Sequence, residues 1–242
     1  MPEDASPTDR SFDDSVQHRL PPEGERSVIL KRASPHAIEW AAEHLAAGGV
    51  IGLPTDTVYG IAASLRYTEA IERIFAIKQR PPDKPLPVLV SSTRALLQIA
   101  RLRNQSIRAL LNEFWPGPLT FVVPGVNGLP AGVRGEGGTV AVRLPNHPLA
   151  IEIIEKAGGA VACTSANLSG DRPALTAQEV ASWLNGKLDL IIDGGLAPGG
   201  VASTVVTAEG NELRILREGG LPAQTVQDAW TAIQAGAISE AQ

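Results

Sequence analysis

Short apolar runs of strand length alternate with amphipathic segments of helix length along almost the whole chain. SVILKR, VIGLP, LPVLV, LTFVVPG, TVAVRLP, AVACT, LDLIID, STVVTA and LRILRE read as strands. Between them, PHAIEWAAEHLAAGG, TEAIERIFAIKQ, TRALLQIA, SIRALLNEFW, HPLAIEIIEKAGG, TAQEVASWLNG and QTVQDAWTAIQA carry helical periodicity. Ser34 stands as the N-cap of the first of these, and Gly48 and Gly49 mark its end. Such interleaving predicts an α/β fold: a twisted sheet flanked by helices. The Glu-Gly-Asn turn inside STVVTAEGNELRILR requires an antiparallel pair as well, so the sheet is expected to mix parallel and antiparallel strands.

At 242 residues with 43% hydrophobic content, the chain can bury an ordinary core. Its first 26 residues hold seven acidic and three basic side chains and read as a disordered acidic tail. They account for most of the formal net charge of −5, which leaves residues 27–222, the expected folded domain, close to neutral. Residues 223–242 are expected to form a closing helix and tail. A single cysteine, Cys163, excludes an internal disulfide framework, and no apolar run is long enough to cross a bilayer. A cytoplasmic protein with no membrane partner is the expectation.

Several function classes lose their support. The P-loop and dinucleotide-binding glycine patterns are absent, as is the G-x-S-x-G nucleophile elbow. His18, His36, His44 and His147 show no metal-ligand spacing, and the body histidines read as surface or helix-end residues.

Four polar segments remain at the ends of apolar strands, where α/β folds collect ligand-binding groups. PTDTVYG, residues 54–60, sets Thr55, Asp56, Thr57 and Tyr59 in a short arc; as a bare pattern it is also an ordinary turn. KQRPPDKP, residues 78–85, places Lys78, Arg80 and Lys84 on a proline-stiffened segment that suits a triphosphate; helix-end charge is the plain alternative for Lys78 and can extend to Arg80, but it does not explain the rigid proline frame. Arg143 ends the β-branched strand within TVAVRLP, and Ser165, Asn167 and Ser169 follow the apolar AVACT, where an ordinary N-cap or Asx turn is the plain alternative to a ligand loop. GGLAPGGVASTVV and LREGG add Ser203, Thr204 and Arg217 beside glycine pairs.

Read in order, PTDTVYG, KQRP, FWPGPLT, TVAVRLP, TSANLSG, GGVASTVV and LREGG resemble the YrdC-like family of threonylcarbamoyl-AMP synthases over roughly residues 28–220. The resemblance implies a twisted α/β sheet enclosing a large basic concave cleft. It implies a nucleotidyltransferase that joins L-threonine, bicarbonate or CO2, and ATP, releasing pyrophosphate. The product serves N6-threonylcarbamoyladenosine formation beside the tRNA anticodon, through downstream tRNA threonylcarbamoyl-transfer proteins.

Carried over by position, Thr57, Arg143, Ser203 and the backbone of Cys163 are expected to hold L-threonine. Lys78, Arg80, Lys84, Thr139, Ser165, Asn167, Pro173 and Arg217 are expected to hold ATP. Lys78 and Arg80 take the catalytic role, with Mg2+ carried mainly by the ATP phosphates and no protein metal ligand. Leu89 departs from the histidine that many relatives carry. The short span after LREGG matches the single-domain form. The competing reading is a non-catalytic double-stranded RNA or tRNA-binding protein of the same fold, and direct tRNA binding is an expectation compatible with either. A third reading is the related carbamoyl-adenylate-forming domain of hydrogenase-maturation proteins.

Overall fold

A computed structural model describes residues 28–31, 36–184 and 186–239. The expected acidic tail and Ser34 lie outside them. Ten strands form one mixed sheet: β1 (Val28–Lys31), β2 (Val50–Leu53), β3 (Gly60–Ser64), β4 (Val88–Val90), β5 (Leu119–Pro124), β6 (Thr139–Arg143), β7 (Ala160–Ser165), β8 (Leu190–Asp193), β9 (Thr204–Glu209) and β10 (Glu212–Arg217). Their spatial order is β1-β8-β2-β3-β7-β4-β6-β5-β9-β10. The pairs β1/β8, β2/β8, β4/β6 and β5/β9 are parallel, and the other five are antiparallel. The helices are α1 (Ala37–Ala46), α2 (Thr68–Lys78), α3 (Thr93–Ile99), α4 (Gln105–Phe114), α5 (Pro148–Lys156), α6 (Ala177–Leu184) and α7 (Ala223–Ser239).

Local chemistry explains the starts of three helices. The side chain of Asn104 accepts from Ser106 N and Ile107 N to cap α4, Ser92 caps α3, and His147 with Pro148 opens α5. His36, His44 and His147 all sit at helix ends. Sequence periodicity missed β3. GIAAS carries one β-branched residue, yet it is wholly buried because it lies between β2 and β7, so tertiary position overrides weak strand propensity.

Strand alternation assigns two cores to the two sheet faces. Val50, Ile61, Ala63, Val88, Val90, Ala162 and Ile191 face the larger core, which takes in buried residues of α2, α3, α4, α6 and α7, including Val226 and Trp230. Ile51, Leu53, Ala62, Leu89, Val161, Cys163, Leu190 and Ile192 face a smaller core under α1 and α5. On this second face the cover ends near β4. Beyond it, β6 and β5 present Thr139, Ala141, Arg143, Thr120 and Val122, and β9 presents Val205 and Thr207, most of them partly exposed. The half-covered face forms the floor on which polar groups gather.

Gly60 is where two strands meet most closely. A Cβ there would lie 2.5 Å from Cys163 Sγ, and that sulfur sits in the buried middle of β7. Gly60→Ala therefore forces β3 and β7 apart, with an expected loss of about 1–3 kcal/mol. Urea unfolding checks this: the midpoint should drop, and an unchanged midpoint would show that the contact is relieved at no cost.

Candidate functional site

Two polar groups lie at the strand ends around this open region, linked by the Arg217 charge that acts on both Arg80 and Arg143. The first surrounds Lys78, the last residue of α2, whose side chain is almost wholly buried. Its ammonium donates to Ser165 O at 2.5 Å, Asn167 O at 2.8 Å and Asn167 Oδ1 at 3.0 Å, which uses all three N–H groups. Ser165 Oγ donates to the same Asn167 Oδ1 at 2.6 Å, while Asn167 Nδ2 donates to Leu168 O and Asp171 O. Ser169 N closes the loop back onto Lys78 O at 3.0 Å. Lys78 thus holds the 165–171 loop from both its ends. Pro173 follows, half-buried, beside Ala174, which ties this loop to the 54–60 turn through Tyr59 N.

After Lys78 the chain turns at Gln79, whose φ of 51° puts a non-glycine residue in the left-handed region. Arg80 then donates from Nε to Lys84 O at 2.7 Å and from Nη2 to Pro85 O at 3.1 Å, so the proline-rich segment holds its guanidinium from behind. The Lys84 side chain itself is exposed. Arg217, at the end of β10, donates to Ser203 O at 2.7 Å. Among the described residues neither Arg80 nor Arg217 pairs with a carboxylate. Burial, and then the facing Arg217 charge, push Arg80 below its ordinary value; burial does the same to Arg217. Thr139 opens β6 and donates to Glu136 O, near the Arg80-bearing segment through Gly135 and Pro85.

The second group centres on Arg143, 5% exposed, at the end of β6. Its Nε donates to Gly117 O at 2.9 Å, Nη1 to Thr57 Oγ1 at 2.8 Å and Nη2 to Asp56 Oδ1 at 2.6 Å. Burial lowers its pKa, and Asp56 opposes that shift. Ser203 Oγ lies 2.7 Å from Thr120 Oγ1, and Cys163 is buried beside Gly60 with its thiol pushed up to about 12 by burial. That thiol stays protonated and is no nucleophile. The glycine-rich 194–200 loop covers the 54–60 turn: Gly200 N donates to Thr57 O, Tyr59 OH donates to Gly195 O and accepts from Gly194 N. Gly199 allows the approach, since a Cβ there would sit 2.6 Å from Asp56 O. Leu89 is buried in the register of Arg143.

All of the sequence-derived site residues fall in or beside these two groups, with the Lys84 ammonium at the exposed rim. Residue patterns alone did not single out Asp56 as the Arg143 partner, nor Thr120 and the Gly117 carbonyl. Thr120 left one signal, a lone hydroxyl inside the apolar strand LTFVVP. Among the described residues, no three His, Cys, Asp or Glu gather to hold a metal ion, and no helix is long and apolar enough to cross a membrane.

A family model described as Telomere recombination, Sua5_yciO_yrdC, matches residues 43–219. The chain belongs to the Sua5/YciO/YrdC family. It is 37% identical over 199 residues to a threonylcarbamoyl-AMP synthase of Pyrococcus abyssi, covering 82% of this chain and 58% of that protein. It is 36% identical over 191 residues to the synthase of Bacillus subtilis, covering 78% and 55%. The crystal structure of P. abyssi Sua5 complexed with L-threonine superposes with a TM-score of 0.78 at 36% identity, covering 84% of this chain and 60% of that one. The chain therefore spans a little over half the length of these relatives. The mixed sheet flanked by helices is the family architecture.

The Lys78 geometry generates a pH dependence. Burial, then the Arg80 charge, push its ammonium down to about 8, while its three acceptors favour the charged form. Charge is present below that value and lost as pH rises through it. Sulfate, which does not titrate here, should bind progressively more weakly from about pH 7 to about pH 9, read by NMR shifts of the 165–171 amides. Lys78→Met should abolish the dependence; a flat wild-type profile would contradict the assignment.

Proposed function

We propose that this chain is a nucleotidyltransferase making threonylcarbamoyl-AMP and pyrophosphate from L-threonine, bicarbonate or CO2, and ATP. One observation carries the reading: two guanidiniums without carboxylate partners among the described residues, the partly buried Arg80 and the more exposed Arg217, stand beside a buried Arg143 whose pocket is lined by hydroxyls. The family membership and the relatives named as synthases support it.

In this reading Thr57, Arg143, Ser203 and the Cys163 backbone hold L-threonine. Arg80, Arg217, Lys84, Thr139, Ser165, Asn167 and Pro173 hold ATP, and Lys78 adds its charge through the loop it organises. The amine nitrogen of threonine bonds to the carbon of CO2 and loses a proton, giving a carbamate. A carbamate oxygen then bonds to the α-phosphorus as the bond to the pyrophosphate oxygen breaks. Two anions must approach, and the fixed cations lower that repulsion without having to reorganise. Positioning and charge, rather than a covalent nucleophile, are what these residues supply. Mg2+ would travel on the phosphate oxygens, because the described residues offer it no carboxylate or imidazole cage.

The product then serves N6-threonylcarbamoyladenosine formation beside the anticodon, through separate transfer proteins in the cytoplasm. An RNA-stacking role gains nothing from the surface: the large exposed hydrophobics among the described residues are Leu97, Leu196, Val201 and Leu216, none aromatic.

Pyrophosphate release from Mg-ATP should require both threonine and bicarbonate. Arg80→Ala and Arg217→Ala should each lower it on the order of one hundredfold while the proteins stay folded. Arg143→Ala should raise the threonine requirement most. Release that ignores threonine, or full turnover in both nucleotide-side variants, would refute the reading.

A further inference from the structure

Asp56 has no part in the roles given above, yet it makes the one ion pair to a cleft cation among the described residues. It lies in the turn between β2 and β3, held on the backbone side by the close approach of Gly199. Its side chain is 12% exposed. Oδ1 accepts from Arg143 Nη2 at 2.6 Å, and Oδ2 makes no hydrogen bond to any described residue. A guanidinium has five N–H groups. Arg143 gives one each to Gly117 O, Thr57 Oγ1 and Asp56 Oδ1, so two remain. A spare carboxylate oxygen therefore stands next to spare guanidinium donors on one wall.

That pairing is selective. A simple anion reaching the free Arg143 donors also meets the Asp56 charge, and a simple cation meets the reverse conflict. A molecule bearing an ammonium and a carboxylate on neighbouring atoms satisfies both at once. A partly desolvated carboxylate also rejects a ligand that brings it no donor.

We propose that Asp56 is the amine-recognition residue of the pocket, its Oδ2 accepting an N–H from the α-nitrogen of the amino-acid substrate while Arg143 meets the carboxylate. The proposal rests on the reading that this pocket takes L-threonine. An N–H survives in the ammonium, the neutral amine and the carbamate, so the contact persists through the reaction and fixes the direction of the nitrogen lone pair. Asp56 thereby makes the α-amino group a requirement for binding rather than for chemistry alone.

Calorimetric titration of the full chain with L-threonine and with (R)-3-hydroxybutanoate, its counterpart lacking the amine, tests this without any variant. Threonine should bind tighter by on the order of tenfold or more. Asp56→Asn keeps an oxygen for Arg143 and should bring the two ligands within about threefold, by weakening threonine alone, whereas Asp56→Glu should restore part of the difference. Equal wild-type affinities overturn the proposal. Weakening of both ligands by the same factor in Asp56→Asn also overturns it, because that is the signature of a residue that only supports Arg143. Should Asp56→Asn fail to fold, Asp56→Glu decides: a preference for threonine unchanged from wild type overturns the proposal. A wild-type chain that binds neither ligand overturns the threonine reading itself, and this proposal with it.

Discussion

A buried ammonium is costly unless its hydrogens are all accepted, and Lys78 meets that condition only because the 165–167 backbone lies across the end of α2. The requirement runs both ways. Ser165 and Asn167 leave the sheet at the end of β7, and without the ammonium Ser165 O would keep only the Asn167 N–H and Asn167 Oδ1 only the Ser165 hydroxyl, while Asn167 O would lose the donor it has here. Burying one cation therefore fixes where a helix ends, where a strand ends and how the loop between them runs. The same loop reaches the 54–60 turn through Ala174 and Tyr59, so the Lys78 contact also sets the wall that carries Thr57 and Asp56.

The second constraint is an uneven covering of the sheet. Helices α1 and α5 shield one face as far as β4, and beyond it the same face holds hydroxyls, small side chains and arginines. Lys78, Arg80, Arg143 and Arg217 gather at the edge of this region, and among the described residues Asp56 is the one carboxylate paired with any of them. Partial burial makes this excess charge unfavourable in the free chain, and an anionic ligand relieves it. On the proposed reading, the cost of this charge excess and affinity for a polyphosphate are two views of one arrangement.

Much of this was legible in the residues. Alternating strand and helix patterns gave nine of the ten strands, because those segments carry Val, Ile and Leu at strand spacing. GIAAS did not, since glycine and alanine owe their strand conformation to the neighbours β2 and β7 rather than to their own preference. The ordered motifs brought forward the polar residues that the structure gathers at these strand ends. They could not show that Lys78 spends its donors on the protein, because that depends on a contact 89 residues away in sequence. Nor could they pair Asp56 with Arg143, separated by 87 residues and joined only through the sheet order. Composition describes which groups are available, whereas topology decides which of them are already occupied.

The central claim is that the Lys78 ammonium assembles the ligand wall. Amide hydrogen exchange on Lys78→Met tests it most directly. Protection at Ala166, Ser169 and Ala174, whose N–H groups donate to Tyr59 O, Lys78 O and Ala166 O, should fall sharply. The amides of β5 and β6 should keep theirs. Unchanged protection across residues 165–174 in that variant would contradict the account.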